Sequence, residues 1–524
     1  MGPERMDSKE RRFWYLVLAV AFALWSAAFI VSTSVRLQGR RYFCLFDDAM
    51  ISMRYGWNLA HGDGLVWNPG ERIEGITNLL MALVMAVPAA FLDKSHAVLA
   101  VQILGIIVLL VGGVVYGRLV GGLLSSADNP NDIKLARVLA FTTTLAYYPL
   151  VAWTLLGMET GLLALLIGVA GVLVVDHGRR ESSRPWLGLV LGLAYATRPD
   201  SLPPALLLLA ADVARSRREG RPLRTALVDG TLLAAIVVGL ASFRWMYYGD
   251  IVPNTYTLKV TGFPLAARLH DGLVYSRAYM APSWPLLVVA AAGALTIRGA
   301  APWLFASAAC AITYQAWVGG DAWYYWRLMA PYTPLLLALA VVGALRAARR
   351  LGGRFRLSPI GVRVIAVLVT LLPLLWANWP FRDEIALRQP TVLAFFNGRH
   401  IATALALRQI ARPPATLGVF SAGVMPYYSG LKGVDFLGKN DRHVAQTTPD
   451  LDMDIPAKLP GLRTLVGHNK YDLRYGIVDR APDYIEGARW GHDDLSTYVA
   501  EHYVLRRGLL LRKQSPFIDW SQIP

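Results

Sequence analysis

The chain has 524 residues, of which 55% are apolar and only 17% charged, against roughly 25% charged residues in an ordinary soluble domain. The net charge of +16 does not argue for nucleic acid, because Lys and Arg gather in short connections between apolar runs rather than on one soluble face. Cys44 and Cys310 are the only cysteines; one lies in a loop and the other inside an apolar run, so no disulfide is expected.

In chain order, a basic start precedes an apolar run from Phe13 to Val35 that lacks a small-residue cleavage site, which reads as an uncleaved anchor and first span. A spanning helix needs about 20 mostly apolar residues, and further spans are expected near 97–119, 136–156, 160–176, 185–199, 201–214, 225–247, 284–298, 301–318, 329–346 and 359–379. The spans at 185–199 and 201–214 are short. The apolar run 77–92 is read as an interfacial or re-entrant helix, because counting it as a span would scatter the Arg-rich loops over both sides.

With this parity the N-terminus, the connection from Arg118 to Arg137, DHGRRESSR, ARSRREGRPLR and RAARRLGGRFR all fall in the cytoplasm, as the positive-inside rule requires. The outer side receives the loop 36–76, the LGMET and TRPDS turns, the segment 248–282 and GGDAWYYWR at 319–327. The expected architecture is an α-helical polytopic membrane protein with about eleven spans over residues 1–380, followed by an extracytoplasmic α/β domain at 381–524. In that domain ATLGVF and GVDFLG read as strands, SAGVMPYYSG as a turn entering a helix, and YVLRRGLLLR as an edge strand or hairpin. The expected location is the plasma membrane.

The most informative stretch is FDDAMISMRYGWNLAHGDGLVWNPGERIEGITN, residues 46–78. At helical spacing Phe46, Met50, Met53 and Trp57 share one apolar face and Asp47, Arg54 and Asn58 align beside it, the pattern of a helix lying in the membrane interface. Sugar transfer to a hydroxyl needs a carboxylate to take the acceptor proton and cations to stabilise the departing phosphate. Asp47 or Asp48 suits the first role. The plainer alternative is that Asp47 caps the helix and pairs with Arg54.

This loop resembles that of polyprenyl-phosphate-dependent glycosyltransferases of the GT-C superfamily, in particular the family of the mycobacterial terminal β-(1→2) arabinofuranosyltransferase. FDDAMISMRY, GERIEGITN, LGMET, TRPDS, YYGDIVPNTYTLK, VGGDAWYYWRLMAPYTPLL and GVDFLGKNDRHVA carry the likeness, in that order. The resemblance implies a GT-C fold, a sugar donor on polyprenyl monophosphate, and an inverting transfer to a glycan or glycolipid acceptor with Asp47 or Asp48 as base. The resemblance favours arabinofuranose as the sugar and an arabinan-like glycan as the acceptor, with another sugar passed to a lipid or protein hydroxyl as the alternative. The chain is shorter than the mycobacterial enzymes, chiefly in the outer domain, which leaves the acceptor open.

Other polar residues are weighed for substrate binding beside Arg54 and Asn78. Glu71 and Glu74 suit sugar hydroxyls, although Gly- and Pro-rich turns often carry charge for solvation alone. Glu159 opens a helix and is equally suited to capping. Arg198 and Asp200 form either a substrate contact or a structural pair. Tyr248, Asn254, Tyr256 and Lys259 lie where a segment could close over the donor, with Lys259 the natural phosphate contact or else a snorkelling lysine. Asp321 and Arg327 flank an aromatic group of interface-belt type, and charges so close to the bilayer favour a shared polar cavity. His443 and His468 of the outer domain are candidates for touching the acceptor. No HExxH or CxxC spacing marks a metal site, while a divalent cation bridging the donor phosphate and Asp47 or Asp48 is compatible with the chemistry. A transporter or flippase is the rival class, but such proteins show paired halves with midplane residues, and here the ionisable residues crowd one face. A catalytically inactive glycan-binding protein of the same architecture is the third reading.

Overall fold

The computed structural model describes residues 3–124, 128–176, 186–220, 222–297, 299–453 and 460–523. The chain opens with α1 (Pro3–Thr33), and a small hairpin of β1 (Val35–Leu37) and β2 (Arg40–Tyr42) leads into α2 (Asp47–Ala60). An irregular loop connects α2 to α3 (Leu79–Ala89). Next come α4 (Lys94–Leu123), α5 (Pro130–Ala146), α6 (Tyr148–Leu155), α7 (Thr160–Asp176), α8 (Trp186–Thr197), α9 (Leu202–Arg218) and α10 (Arg224–Tyr248). The helical part closes with α11 (Asn254–Lys259), α12 (Leu265–Thr296), α13 (Ala301–Val318), α14 (Thr333–Phe355) and α15 (Pro359–Asn378).

Every apolar run expected to span lies on a helix, but their lengths differ from the expectation. Among the described residues six helices are long and apolar enough to cross a membrane, and α5 with α6, bent by 55°, makes a seventh if the pair is one span. Pro149 in the first turn of α6 fits this break, because that position needs no intrahelical N–H. The helix expected at 284–298 begins already at Leu265, so half of the segment read as an outer loop belongs to α12. Pro282 and Pro285 lie inside it, tolerated as prolines are when neighbouring helices hold the backbone. The DHGRRESSR connection beyond Asp176 lies outside the described residues.

Burial separates one helix from the rest. The apolar window of α14 is 89% buried, whereas the other five spans bury only 17–39% of theirs. Leu24, Val238, Met246, Leu295 and Leu375 point outward, and apolar surface on this scale is stable only against an apolar partner or lipid. The central helix is reached closely by α12. A Cβ on Gly293 would lie 2.0 Å from the Leu339 carbonyl, and one on Gly343 2.4 Å from that of Val289, so the two glycines let the backbones touch.

At the end of the bundle opposite the site, ion pairs tie the helix ends together. Arg349 and Arg363 hold Asp132 at 2.9 and 3.0 Å, and Arg118 reaches Asp176 at 2.7 Å. Both cysteines are free.

Beyond Trp379 the chain forms α16 (Arg382–Ile385), α17 (Asn397–Ile410), β3 (Thr416–Val419), α18 (Val424–Ser429), β4 (Lys432–Asp435), α19 (Arg442–Gln446), β5 (Tyr484–Ile485), β6 (Arg489–Trp490), β7 (Asp493–Asp494), α20 (Ser496–His502), β8 (Tyr503–Arg506) and β9 (Leu509–Arg512). Five of these strands make a mixed sheet in the order β4-β3-β5-β9-β8. β3 runs parallel to β4 and β5, and the β8–β9 hairpin closes the edge antiparallel. The strands fall where ATLGVF, GVDFLG and YVLRRGLLLR predicted them.

Candidate active site

Helix α2 does not lie in a lipid interface. Met50 and Met53 are fully buried and Phe46 nearly so, and the Phe46 ring packs edge-on against Trp153 and Trp323 at 5.0 and 4.9 Å. The apolar face that suggested lipid contact is satisfied by the protein core instead. The rest of the first loop folds onto the C-terminal sheet: Trp67 Nε1 donates to the Ala422 carbonyl at 3.0 Å and Asn68 Nδ2 to that of Gly433 at 2.8 Å.

Arg54 belongs to this joint and not to a substrate site. Its guanidinium donates to the carbonyls of Trp67 at 2.5 Å and Leu431 at 2.9 Å, and also to that of Pro426. No Asp47–Arg54 pair forms among the described residues, and no side chain caps α2.

The adjacent aspartates have separate partners. Asp47 accepts the backbone N–H groups of Gly423 at 3.2 Å and Val424 at 2.9 Å, at the start of α18, the favourable place for a carboxylate on a helix. Burial raises the Asp47 carboxyl above its ordinary range, although nearby His400 and the Val424 N–H oppose the shift. Asp48 turns into a cavity of about 420 Å3, where Arg327 Nη1 donates to Oδ2 at 2.7 Å and Lys439 Nζ donates to Oδ1. Burial alone would raise the Asp48 carboxyl; Lys439, Arg327 and Lys259 outweigh it and hold the group well below the carboxylate range.

The cations come from three separate segments. Arg327 is also clamped by Asp321 through two bonds of 2.6 and 2.9 Å, in the turn between α13 and α14. Lys259 ends α11, lines the cavity, and makes no ion pair or hydrogen bond of its own among the described residues. Burial together with Arg327 brings its ammonium down to about 8. Lys439 lies in the loop after β4, and Asn254 Nδ2 holds that loop by donating to the carbonyls of Gly438, Lys439 and Asp441 at 2.9–3.1 Å. Three cations thus face the two carboxylates Asp48 and Asp321, which leaves one positive charge for an incoming anion.

A second polar group lines the same cavity. Ser52 donates to Asn78 Oδ1 at 2.8 Å, Asn78 donates to Glu159 Oε2 at 2.8 Å, and Arg198 bridges Glu159 at 2.6 Å and Asp200 at 2.9 and 3.0 Å. The structural Arg198–Asp200 pair and a role as cavity wall therefore coexist. The helix that leads into the turn carrying them, α8, has only 12 residues, about 18 Å of rise, less than a hydrocarbon core of about 30 Å. Tyr256 also lines the cavity.

The other expected site residues lie elsewhere. Glu71 is a surface residue bonded to Asn68 and Lys432, set apart because its turn faces solvent. Glu74 is buried against Arg244 at 2.9 Å, and burial lifts its carboxyl to about 7 although Arg244 opposes the shift. Tyr248 donates to the Leu65 carbonyl at 2.8 Å. His443 is half exposed and bonded to Asp472 at 2.9 Å, and His468 supports the Trp490 indole through its carbonyl at 3.0 Å. Asp47 and Asp48 are turned to different partners, and no cluster of three metal-ligating residues occurs among the described residues.

Two residues of this region were not singled out from the sequence. Lys439 stands inside the GVDFLGKNDRHVA stretch, but nothing local to it announces a partner in the first loop. Arg244 did carry a signal, as a single arginine in the apolar run 225–247, where an unpaired charge would be costly.

A domain of unknown function, DUF8728, matches residues 386–516. No curated protein matches the chain. Among solved structures, apo ArnT from Cupriavidus metallidurans is similar over 80% of this chain and 85% of its own, with 14% identity and a TM-score of 0.52. The chain has a GT-C fold. ArnT from the same organism bound to undecaprenyl phosphate aligns over the same shares at 13% identity and a TM-score of 0.49. The Archaeoglobus fulgidus oligosaccharyltransferase, tethered to an acceptor peptide containing the NVT sequon, aligns over 81% of this chain and 64% of its own at 12% identity and a TM-score of 0.49.

Proposed function

We propose that the protein is a membrane glycosyltransferase that takes a sugar from a polyprenyl monophosphate and passes it to a glycan or glycolipid hydroxyl. One observation carries this reading: a largely enclosed carboxylate, Asp48, faces a polar cavity between Arg327 and Lys439, with Lys259 beside them and without an ion pair. In the transfer, Asp48 accepts the proton of the acceptor hydroxyl as its oxygen bonds to the anomeric carbon of the donor. The carbon–oxygen bond to the phosphate breaks, its electron pair stays on the phosphate oxygen, and the three cations stabilise the charge that develops there. Attack from the face opposite the phosphate inverts the anomeric centre. A donor phosphate that engages Lys439 and Arg327 weakens their hold on Asp48, so donor binding makes the carboxylate a better base.

The basic ends of α9 and α14 lie at the opposite end of the bundle, which supports a site on the outer face of the plasma membrane, with the N-terminus cytoplasmic and residues 381–524 extracytoplasmic. Arabinofuranose as the sugar rests on the resemblance of the first loop and the GGD segment. The test is the full chain in proteoliposomes, supplied with synthetic polyprenyl-phosphate pentoses and hexoses and an oligosaccharide acceptor. The expected result is a glycosylated acceptor and free polyprenyl phosphate, strongest with the arabinofuranosyl donor. No transfer from any donor, or labelling of position 48 from the cytosolic side alone, overturns the reading.

A further inference from the structure

Gln315 on α13 and Thr255 on α11 line the cavity that holds Asp48, and they are only 2% and 6% exposed. Gln315 Oε1 and Thr255 Oγ1 nevertheless have no hydrogen-bond partner among the described residues. Buried side-chain polar atoms are nearly always paired, and the contrast with the rest of this wall is sharp. Asn78, Glu159, Arg198 and Asp200 already bond to one another, so engaging a ligand through them disturbs existing bonds, whereas Gln315 and Thr255 have capacity to spare.

We propose that Gln315, with Thr255, reads a hydroxyl of the sugar on the lipid-linked donor, an inference that rests on the glycosyltransferase reading of this cavity. A carboxamide donates at one end and accepts at the other, and a threonine hydroxyl does both. That capacity matches a sugar hydroxyl; a phosphate only accepts and is drawn to the cations instead. The position is fixed relative to them: the Gln315 carbonyl accepts the Gly320 N–H at 2.9 Å, in the turn that runs directly into Asp321 and Arg327. Gly319 takes a φ of 101° there, which a glycine adopts at little cost. One turn thereby sets both the carboxamide and the phosphate-facing guanidinium.

The test measures binding to the detergent-solubilised full chain, without acceptor, of a short polyprenyl-phosphate arabinofuranose and of the same polyprenyl phosphate without sugar. Gln315→Leu, close in size and without polar ends, is expected to weaken the sugar-bearing lipid about tenfold, the order of one hydrogen bond, and to leave the sugar-free lipid within about twofold. Thr255→Val is expected to give a smaller loss of the same selectivity, and Gln315→Met serves if the leucine variant does not fold. Among deoxy-sugar donors, the one lacking the hydroxyl in question should bind the unmodified protein and Gln315→Leu alike. Equal weakening of both lipids, or of neither, overturns the inference. Equal affinity of the unmodified protein for both lipids overturns it too while leaving the lipid-phosphate site standing. Selective binding without transfer to any acceptor removes the glycosyltransferase reading and keeps the hydroxyl contact.

Discussion

Lys439 donates to Asp48 across 391 positions of sequence, so the ammonium from the C-terminal sheet region and the carboxylate from the first loop complete a single site. Arg327 holds the other oxygen of Asp48 at 2.7 Å, and neither cation is adjacent to it in the chain. The site therefore exists only when the first loop and the C-terminal region are docked.

The two aspartates should separate on mutation. Asp48→Asn is expected to lower transfer by about 10²–10⁴-fold, the usual contribution of a positioned base. Asp47→Asn keeps an oxygen for the Gly423 and Val424 N–H groups and should cost far less. Initial rates with a synthetic polyprenyl-phosphate donor measure both, and equal losses would assign the base wrongly.

Removing Lys439 should move the pH dependence. Asp48 works as a base only when unprotonated, and Lys439 is among the cations that hold its carboxyl low. In Lys439→Met the carboxyl rises toward its ordinary range, so activity falls away at a higher pH on the acid side than in the unmodified protein. The acid limb of kcat/KM against pH reports this, and an unmoved limb would mean that Asp48 does not titrate as the base.

Arg244→Met should destabilise the fold, because it leaves Glu74 buried without its cation. Losing one partner of a buried pair costs roughly 3–5 kcal/mol. Glu74→Gln in the same chain should restore part of the loss, since the stranded charge is gone. Thermal unfolding in detergent measures the series; a double variant no better than Arg244→Met would show that the ion pair is not what matters.

Gly423→Ala should pry the C-terminal region from the first loop. A Cβ there would meet the Asp47 carbonyl at 1.9 Å, a backbone contact that no rotamer relieves, and overpacking of this kind costs about 1–3 kcal/mol or more. Faster proteolysis between residues 381 and 524, together with lost transfer, is the expected outcome. Unchanged protection would place the joint elsewhere.

Much of the fold was legible because its signals are local. Apolar runs mark helices whatever they pack against, and β-rich segments bounded by glycine mark the strands after Trp379. The apolar stripe of α2 is equally plain, yet from the sequence it reads as lipid-facing, since a stripe records the need for an apolar partner and does not say which one. The length of α12 was hidden because Pro282 and Pro285 interrupt the pattern without ending the helix.

By itself the sequence determined the helical membrane-type architecture, the α/β texture of the C-terminal part, and the short list of charged residues from which a site had to be drawn. Tertiary structure decided how those charges are shared out: Asp48 to Arg327 and Lys439, Asp47 to the start of α18, Glu74 to Arg244, and Glu71 and His443 to the surface. The physical reason is range. Hydropathy and turn chemistry act within a few residues, whereas the desolvation and pairing of a charge depend on groups brought within about 3 Å from distant parts of the chain.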